Sequence, residues 1–226
     1  DTFSTELLSL YAHFEKLQVL DKKVGVSDYI KDWQVQKLIA VQTQIIEEGN
    51  RKKVDNAMYS GDLDAFLFVP YVQEHLPLSV NAGVIGHEYF HDIFHKIVTK
   101  PIQKFEKIED NLTSRQLYHT FLFRALNEAL ADVWGWIYSD DFQFVKKSDP
   151  RFEWRDLNTR VKNFYTKEQI QDKSASYLSS DAEAYQVGQM YSYQIFSAVK
   201  KAIEEKVVEN KAQANMLVAK SILKML

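Results

Sequence analysis

Apolar residues at helical spacing dominate this chain. Between Thr5 and Lys22, Leu7, Leu8, Tyr11, Phe14, Leu17 and Leu20 recur every three to four residues. That is the pattern of an amphipathic helix, with Ser4 or Thr5 as its cap. Val24–Asp32 is a connector. Lys37–Ile46 (KLIAVQTQII) mixes partly alternating β-branched residues with good helix formers, and we read it as a strand. Glu47–Lys53 is polar around Gly49-Asn50 and reads as a turn. Val54–Ser60 and Ala65–Tyr71 read as two short strands separated by Gly61-Asp62, with Pro70 ending the second.

The remainder is helical in pattern. After a loop at Glu74–Pro77, Ser79 or Asn81 can cap a helix that runs to about Lys100 and stops at Pro101. Ile102–Asn111 is a charged connector. Thr113–Tyr138 reads as a long helix rich in Leu, Phe, Ala and Trp. Ser139–Pro150 is loop, Arg151–Ile170 is partly helical, and Ser174–Asp181 is a small polar loop ending in a helix cap. Ala182–Lys206 and Glu209–Met225 are two further amphipathic helices. No repeat or low-complexity segment interrupts the chain. The expected fold is α+β, mainly helical. A small β-containing N-terminal lobe (residues 1–100) would face a helical lobe (residues 101–226) across a cleft.

Composition narrows the function. The 226 residues carry 28 basic and 31 acidic side chains, a net charge of −3, with no basic block. Nucleic acid is therefore not an expected partner. Apolar stretches such as Ala65–Pro70 are far too short to span a bilayer. There is no cysteine, which excludes disulfides and leaves His and carboxylates as metal ligands. The first residue is Asp1, not Met, which leaves room for a removed leader or pro-segment. The composition suits an exported protein and a cytosolic one equally.

Candidate chemistry is concentrated in Gly86-His87-Glu88-Tyr89-Phe90-His91-Asp92, an H-E-x-x-H set in an apolar run. On a helix, His87 and His91 project from one face one turn apart. Two such imidazoles can grip one zinc ion, with Glu88 as general base toward a zinc-bound water. The bland alternative is a solvated face plus a core histidine. A catalytic zinc also needs a third protein ligand. Glu128, on the next long helix, can supply it. Asp132, one turn further on, can accept a hydrogen bond from the far nitrogen of a ligand histidine. The flanks of this pair are apolar, and buried carboxylates need partners. Two antiparallel helices would bring 87–91 and 128–132 together. His95 is about 12 Å from His87 along the helix, too far to share the ion. His13 reads as structural, and His75 and His119 have no spacing argument.

These motifs resemble those of the thermolysin-like zinc metallopeptidases of the gluzincin group. Asn56-Ala57-Met58-Tyr59 is similar to the N-A-[FY]-[WY] strand that lies along the substrate backbone in that family. Phe68-Val69-Pro70, Leu78-Ser79 and Gly83–Glu88 resemble its run into the active-site helix, and Asn127–Asp132 its N-E-x-x-x-D motif. Ala12-His13-Phe14 is weakly similar to an upstream helix. The resemblance covers residues 54–135 well and the rest poorly. It implies His87, His91 and Glu128 as zinc ligands, Glu88 as general base, and Asp132 as the group orienting His87. It implies backbone binding of substrate at Asn56 and Ala57, with Tyr59 on the same strand. There are departures. Residues 92–127 form a longer connector than the family pattern. The acidic calcium-binding stretches and the C-terminal oxyanion histidine have no clear match. Tyr185-Gln186-Val187-Gly188 is instead similar to the Y-x-x-G of gluzincin aminopeptidases, whose tyrosine donates to developing negative charge. Tyr185 reads equally as a packed helix-start aromatic.

The function expected from this resemblance is a zinc-dependent metalloendopeptidase, a hydrolase holding one zinc per chain and taking a peptide or protein substrate. Export is implied by the family rather than by these residues. A gluzincin aminopeptidase and a non-catalytic, zinc-holding peptide-binding scaffold are the alternatives.

Overall fold

The computed structural model describes residues 2–30, 33, 37–47, 51–103, 113–159, 165–176 and 182–226. The expected turn at Gly49-Asn50, the connector beyond residue 103 and the end of the loop before Ala182 lie outside them. The fold is mainly helical with a small three-stranded sheet. Helix α1 (Thr2–Val24) buries Leu10, Phe14 and Leu17, an i, i+4, i+7 stripe, and leaves Leu8 and Tyr11 exposed. Gly25 ends it in the left-handed region (φ 83°), its amide donating to the Asp21 carbonyl at 2.8 Å.

Three strands follow the alternating segments: β1 (Leu38–Val41), then, after the two-residue strands β2 (Ile46–Glu47) and β3 (Arg51–Lys52), β4 (Ala57–Ser60) and β5 (Ala65–Phe68). The sheet order is β1-β5-β4. β4 and β5 form an antiparallel hairpin, and β1 lies parallel to β5 with Leu38 opposite Ala65. β4 is therefore an edge strand. The Asn56 carbonyl accepts from the Val69 amide, so by alternation Met58 and Ser60 bond to β5, while Ala57 and Tyr59 turn their backbone groups outward.

Helix α2 (Ala82–Phe94) is capped by Asn81, whose side-chain oxygen accepts from Gly83 and Val84 amides. Ser79 is instead buried in a short 3-10 turn, Leu78–Val80. The helix does not stop at Pro101. It widens into one π-turn at His95–Thr99 and continues as α3 (Lys100–Gln103). The Lys100 amide bonds to the His95 carbonyl across this wider turn, so the hydrogen-bond register has already shifted where Pro101 enters.

Thr113 closes a capping box with Gln116 and starts α4 (Ser114–Ser139). His87 faces Asp132, His91 faces Asn127 and Phe94 packs on Phe123, so α2 and α4 run antiparallel. Their close approach requires Gly135: a Cβ there would meet the Gly83 carbonyl oxygen at 2.5 Å. The segment expected as loop at Ser139–Pro150 contains a short helix, α5 (Phe144–Ser148), anchored by the Asn81 side chain donating to the Phe144 carbonyl and to Ser148. Its Phe144 ring fills the crevice beside Gly83 and Gly135. A 3-10 segment (Pro150–Arg155), α6 (Lys167–Ser176), α7 (Ala182–Glu204) and α8 (Lys211–Met225) complete the chain. One apolar core runs from α1 through the sheet, α2 and α4 to α8, with Phe66, Tyr89, Phe90, Trp134 and Trp136 fully buried.

Candidate metal centre

Residues Gly83–Phe94 of α2 are buried except for His91, which is half-buried. The apolar positions of the helix fix its rotation against the core, and this leaves His87, Glu88 and His91 directed at the cleft. Each of the three offers a ligand atom within 4.8 Å of the others. Glu128, from the facing turn of α4, comes closer to both histidines. Its Oε2 is 3.3 Å from His87 Nε2 and 3.6 Å from His91 Nε2, and the two Nε2 atoms are 3.1 Å apart.

The far nitrogens each lie beside a side-chain oxygen of α4. His87 Nδ1 is 2.9 Å from Asp132 Oδ1, and His91 Nδ1 is 3.1 Å from Asn127 Oδ1. A proton on each Nδ1 would leave both Nε2 lone pairs facing Glu128 Oε2. Glu128 Oε2 and His87 Nδ1 are both buried without a well-aligned hydrogen bond. Three electron pairs converging in this way repel one another unless a proton or a cation lies between them. A tetrahedral ion with bonds of about 2.0–2.1 Å requires ligand separations of about 3.3 Å. The observed triangle has edges of 3.1, 3.3 and 3.6 Å. The residues therefore fit a small divalent cation. The other carboxylate at the site, Glu88, accepts from the Tyr59 amide through its Oε2 at 2.9 Å.

Electrostatics follow from this crowding. Burial opposes ionisation of Glu128, but His91 and His87 hold its carboxyl well below the usual range. Burial would lower the His87 pKa, but the Asp132 and Glu128 carboxylates beside it push it up to about 10, so without a metal His87 carries the proton shared at this site. Glu88 is raised chiefly by burial. Asp132 is lowered, against its own burial, by Arg155 and His87. Arg155 Nη2 is 2.6 Å from Asp132 Oδ1, and its guanidinium carbon lies 4.3 Å from the Tyr185 ring centroid. Tyr185 is raised, first by the Glu128 charge and then by burial.

His87, Glu88, Asn56, Ala57, Arg155 and Tyr185 line one cleft, whose other wall includes Leu78, Val84 and Phe144. Tyr185 reaches it because Gly188, one turn on in α7, lets that helix touch α4: a Cβ there would meet the Ala125 carbonyl oxygen at 2.7 Å. Tyr59 lies on the same edge strand, but its amide is held by Glu88 and its hydroxyl donates to Asp64. His95 packs on the Tyr59 ring, away from the triangle. His13 Nδ1 pairs with the Tyr138 hydroxyl at 2.7 Å, a structural contact, and His75 and His119 are exposed. Asn127 and Arg155 were not assigned from sequence. Asn127 had a usable signal, since it adjoins Glu128 at one helical turn from the His91 level. Arg155 had none, because a 3-10 turn brings it in.

Among the described residues no helix is long and apolar enough to cross a membrane. A comparison with family models, curated proteins and solved structures finds no match to this chain.

Proposed function

We propose that this chain is a zinc-dependent metalloendopeptidase with a thermolysin-like catalytic arrangement. The observation that carries this reading is the convergence of two imidazole Nε2 atoms and one buried carboxylate oxygen within 3.6 Å of one another, with a second carboxylate beside them. His87, His91 and Glu128 would hold the ion. Zinc, when bound, supplies a Lewis acid that lowers the pKa of water and polarises a carbonyl. Glu88, buried and raised in pKa, is suited to take the proton of an attacking water and hand it to the leaving amine. Ala57 turns its backbone groups toward the cleft, which suits an extended peptide adding to the edge of β4. The Tyr185 hydroxyl, kept protonated, is suited to donate to the developing oxyanion.

Tyr185 with Gly188 also favours a second reading, a gluzincin aminopeptidase. A free substrate amine needs an unengaged acid. Asp55 and Asp149 line the cleft, but Asp55 accepts from the Val72 amide and Gln73, and Asp149 is held by Arg151. Endopeptidase is therefore the better supported.

The test is hydrolysis of a mixed quenched-peptide pool by the zinc-loaded chain, with Glu88→Gln as the control. The wild type should cleave. Glu88→Gln should keep one zinc and lose turnover by about 10²–10⁴-fold. End-group analysis of the products separates endo from exo cleavage. A wild type that binds zinc and cleaves nothing would favour the peptide-binding scaffold instead.

A further inference from the structure

Behind the cleft lies a second cluster of ionisable groups that the proposed reaction does not use. Asp92 directly follows His91 and is 0% exposed. Its Oδ2 is 2.5 Å from Lys37 Nζ and its Oδ1 is 2.8 Å from Lys96 Nζ. Lys37 is itself buried, with a side chain 4% exposed and its Nζ 3.5 Å from the Trp33 ring centroid. Lys96 also reaches Asp64 at 3.1 Å, and Asp64 accepts from the Tyr59 hydroxyl at 2.8 Å. The Tyr59 amide donates to Glu88. The path of contacts leaves α2 one residue past His91 and returns to it at Glu88. It crosses the sheet at two places: at the head of β1 through Lys37, and on the β4–β5 hairpin through Asp64 and Tyr59. His95, from the intervening turn, sits against Gly61 and the Tyr59 ring.

A buried ion pair is a poor device for stability alone, because desolvation offsets the attraction. What it supplies is direction. Among the described residues, the Lys37 ammonium donates to Asp92, and β1 is laddered to β5 and through it to β4. Fixing Lys37 on Asp92 fixes the height of the whole sheet along α2. We propose that Lys37 and Asp92 are positioning residues, locking the edge strand to α2 so that the Tyr59 amide holds the Glu88 carboxylate. The Lys96–Asp64 pair is the second strut of the same clamp. This inference rests on reading Glu88 as the general base.

The experiment is amide hydrogen exchange at Tyr59, read by NMR on the zinc-loaded full chain, beside peptide hydrolysis by the same samples. Lys37→Met removes the charge and keeps the length. It should speed exchange at Tyr59 about tenfold while leaving Met58, which bonds to β5, and the α4 amides at wild-type rates. Turnover should fall about tenfold in kcat with KM unchanged, and Lys37→Arg should restore both. If Lys37→Met does not fold, Lys96→Met carries the same comparison, since that side chain is 17% exposed. Unchanged exchange at Tyr59, or acceleration shared equally by Met58 and α4, overturns the proposal. A wild type that cleaves no peptide overturns the enzymatic reading, while the exchange result still decides the clamp.

Discussion

Asp21 shows how one buried side chain can tie stability to pH. It is 3% exposed, and its Oδ2 accepts from Trp33 Nε1 at 2.9 Å and from the Tyr89 hydroxyl. Burial outweighs these bonds and lifts its pKa from 3.8 to about 6. The folded chain thus binds this proton more tightly than the unfolded chain. The contribution is fully present below about pH 4 and is lost as pH rises through about 6, a swing of about 3 kcal/mol. Urea midpoints measured against pH should therefore fall across that window. Asp21→Asn should flatten this fall, and an unaltered slope in the variant would remove Asp21 as its source. At this scale the sequence was a good guide wherever spacing carried the signal. His87 and His91 share one face of α2, and Glu128 and Asp132 one face of α4, as helical periodicity requires, and the packing of the two helices brings them within 3.6 Å. Lys37, Asp21 and Arg155 gave no such signal, since each reaches its partner across elements whose mutual placement no local pattern encodes.

Among the elements, the α2–α4 contact controls the candidate ligand triangle, because His87 and His91 stand on α2 and Glu128 on α4. Gly135 sets their separation, with no room for a methyl against the Gly83 carbonyl. Gly135→Ala should destabilise the fold by about 1–3 kcal/mol and weaken zinc binding by spreading Glu128 from the histidines. Thermal melts with and without zinc measure both effects. A variant with wild-type zinc affinity would show that the triangle tolerates such a shift. Helix existence was legible here, and ends were less so. Asn81, Thr113 and Asn210 cap where polar residues precede apolar runs. Pro101 misled as a stop, because the π-turn before it changes the hydrogen-bond register. Phe144–Ser148 is too short for periodicity to reveal, and tertiary anchoring by Asn81 makes it helical.

For the whole molecule, the mainly helical α+β character and the placing of the strands between α1 and α2 followed from the switch in hydrophobic period. The parallel placement of β1 against β5 did not, since nothing local specifies which strand a solitary apolar run will join. That placement has a kinetic consequence. The β4–β5 hairpin closes over residues 61–64, whereas β1 cannot meet β5 until residues 42–64 have been looped back. Long-range parallel pairing is slow relative to a hairpin. Lys37 arrives with β1, so under the proposed clamp Glu88 acquires its fixed amide partner late in assembly. In refolding experiments, tryptophan fluorescence from Trp134 and Trp136 should recover before peptide cleavage does, and simultaneous recovery would refute this order. On the proposed function, a hydrolase built this way would stay inert while its own chain, still partly unfolded, is the nearest substrate.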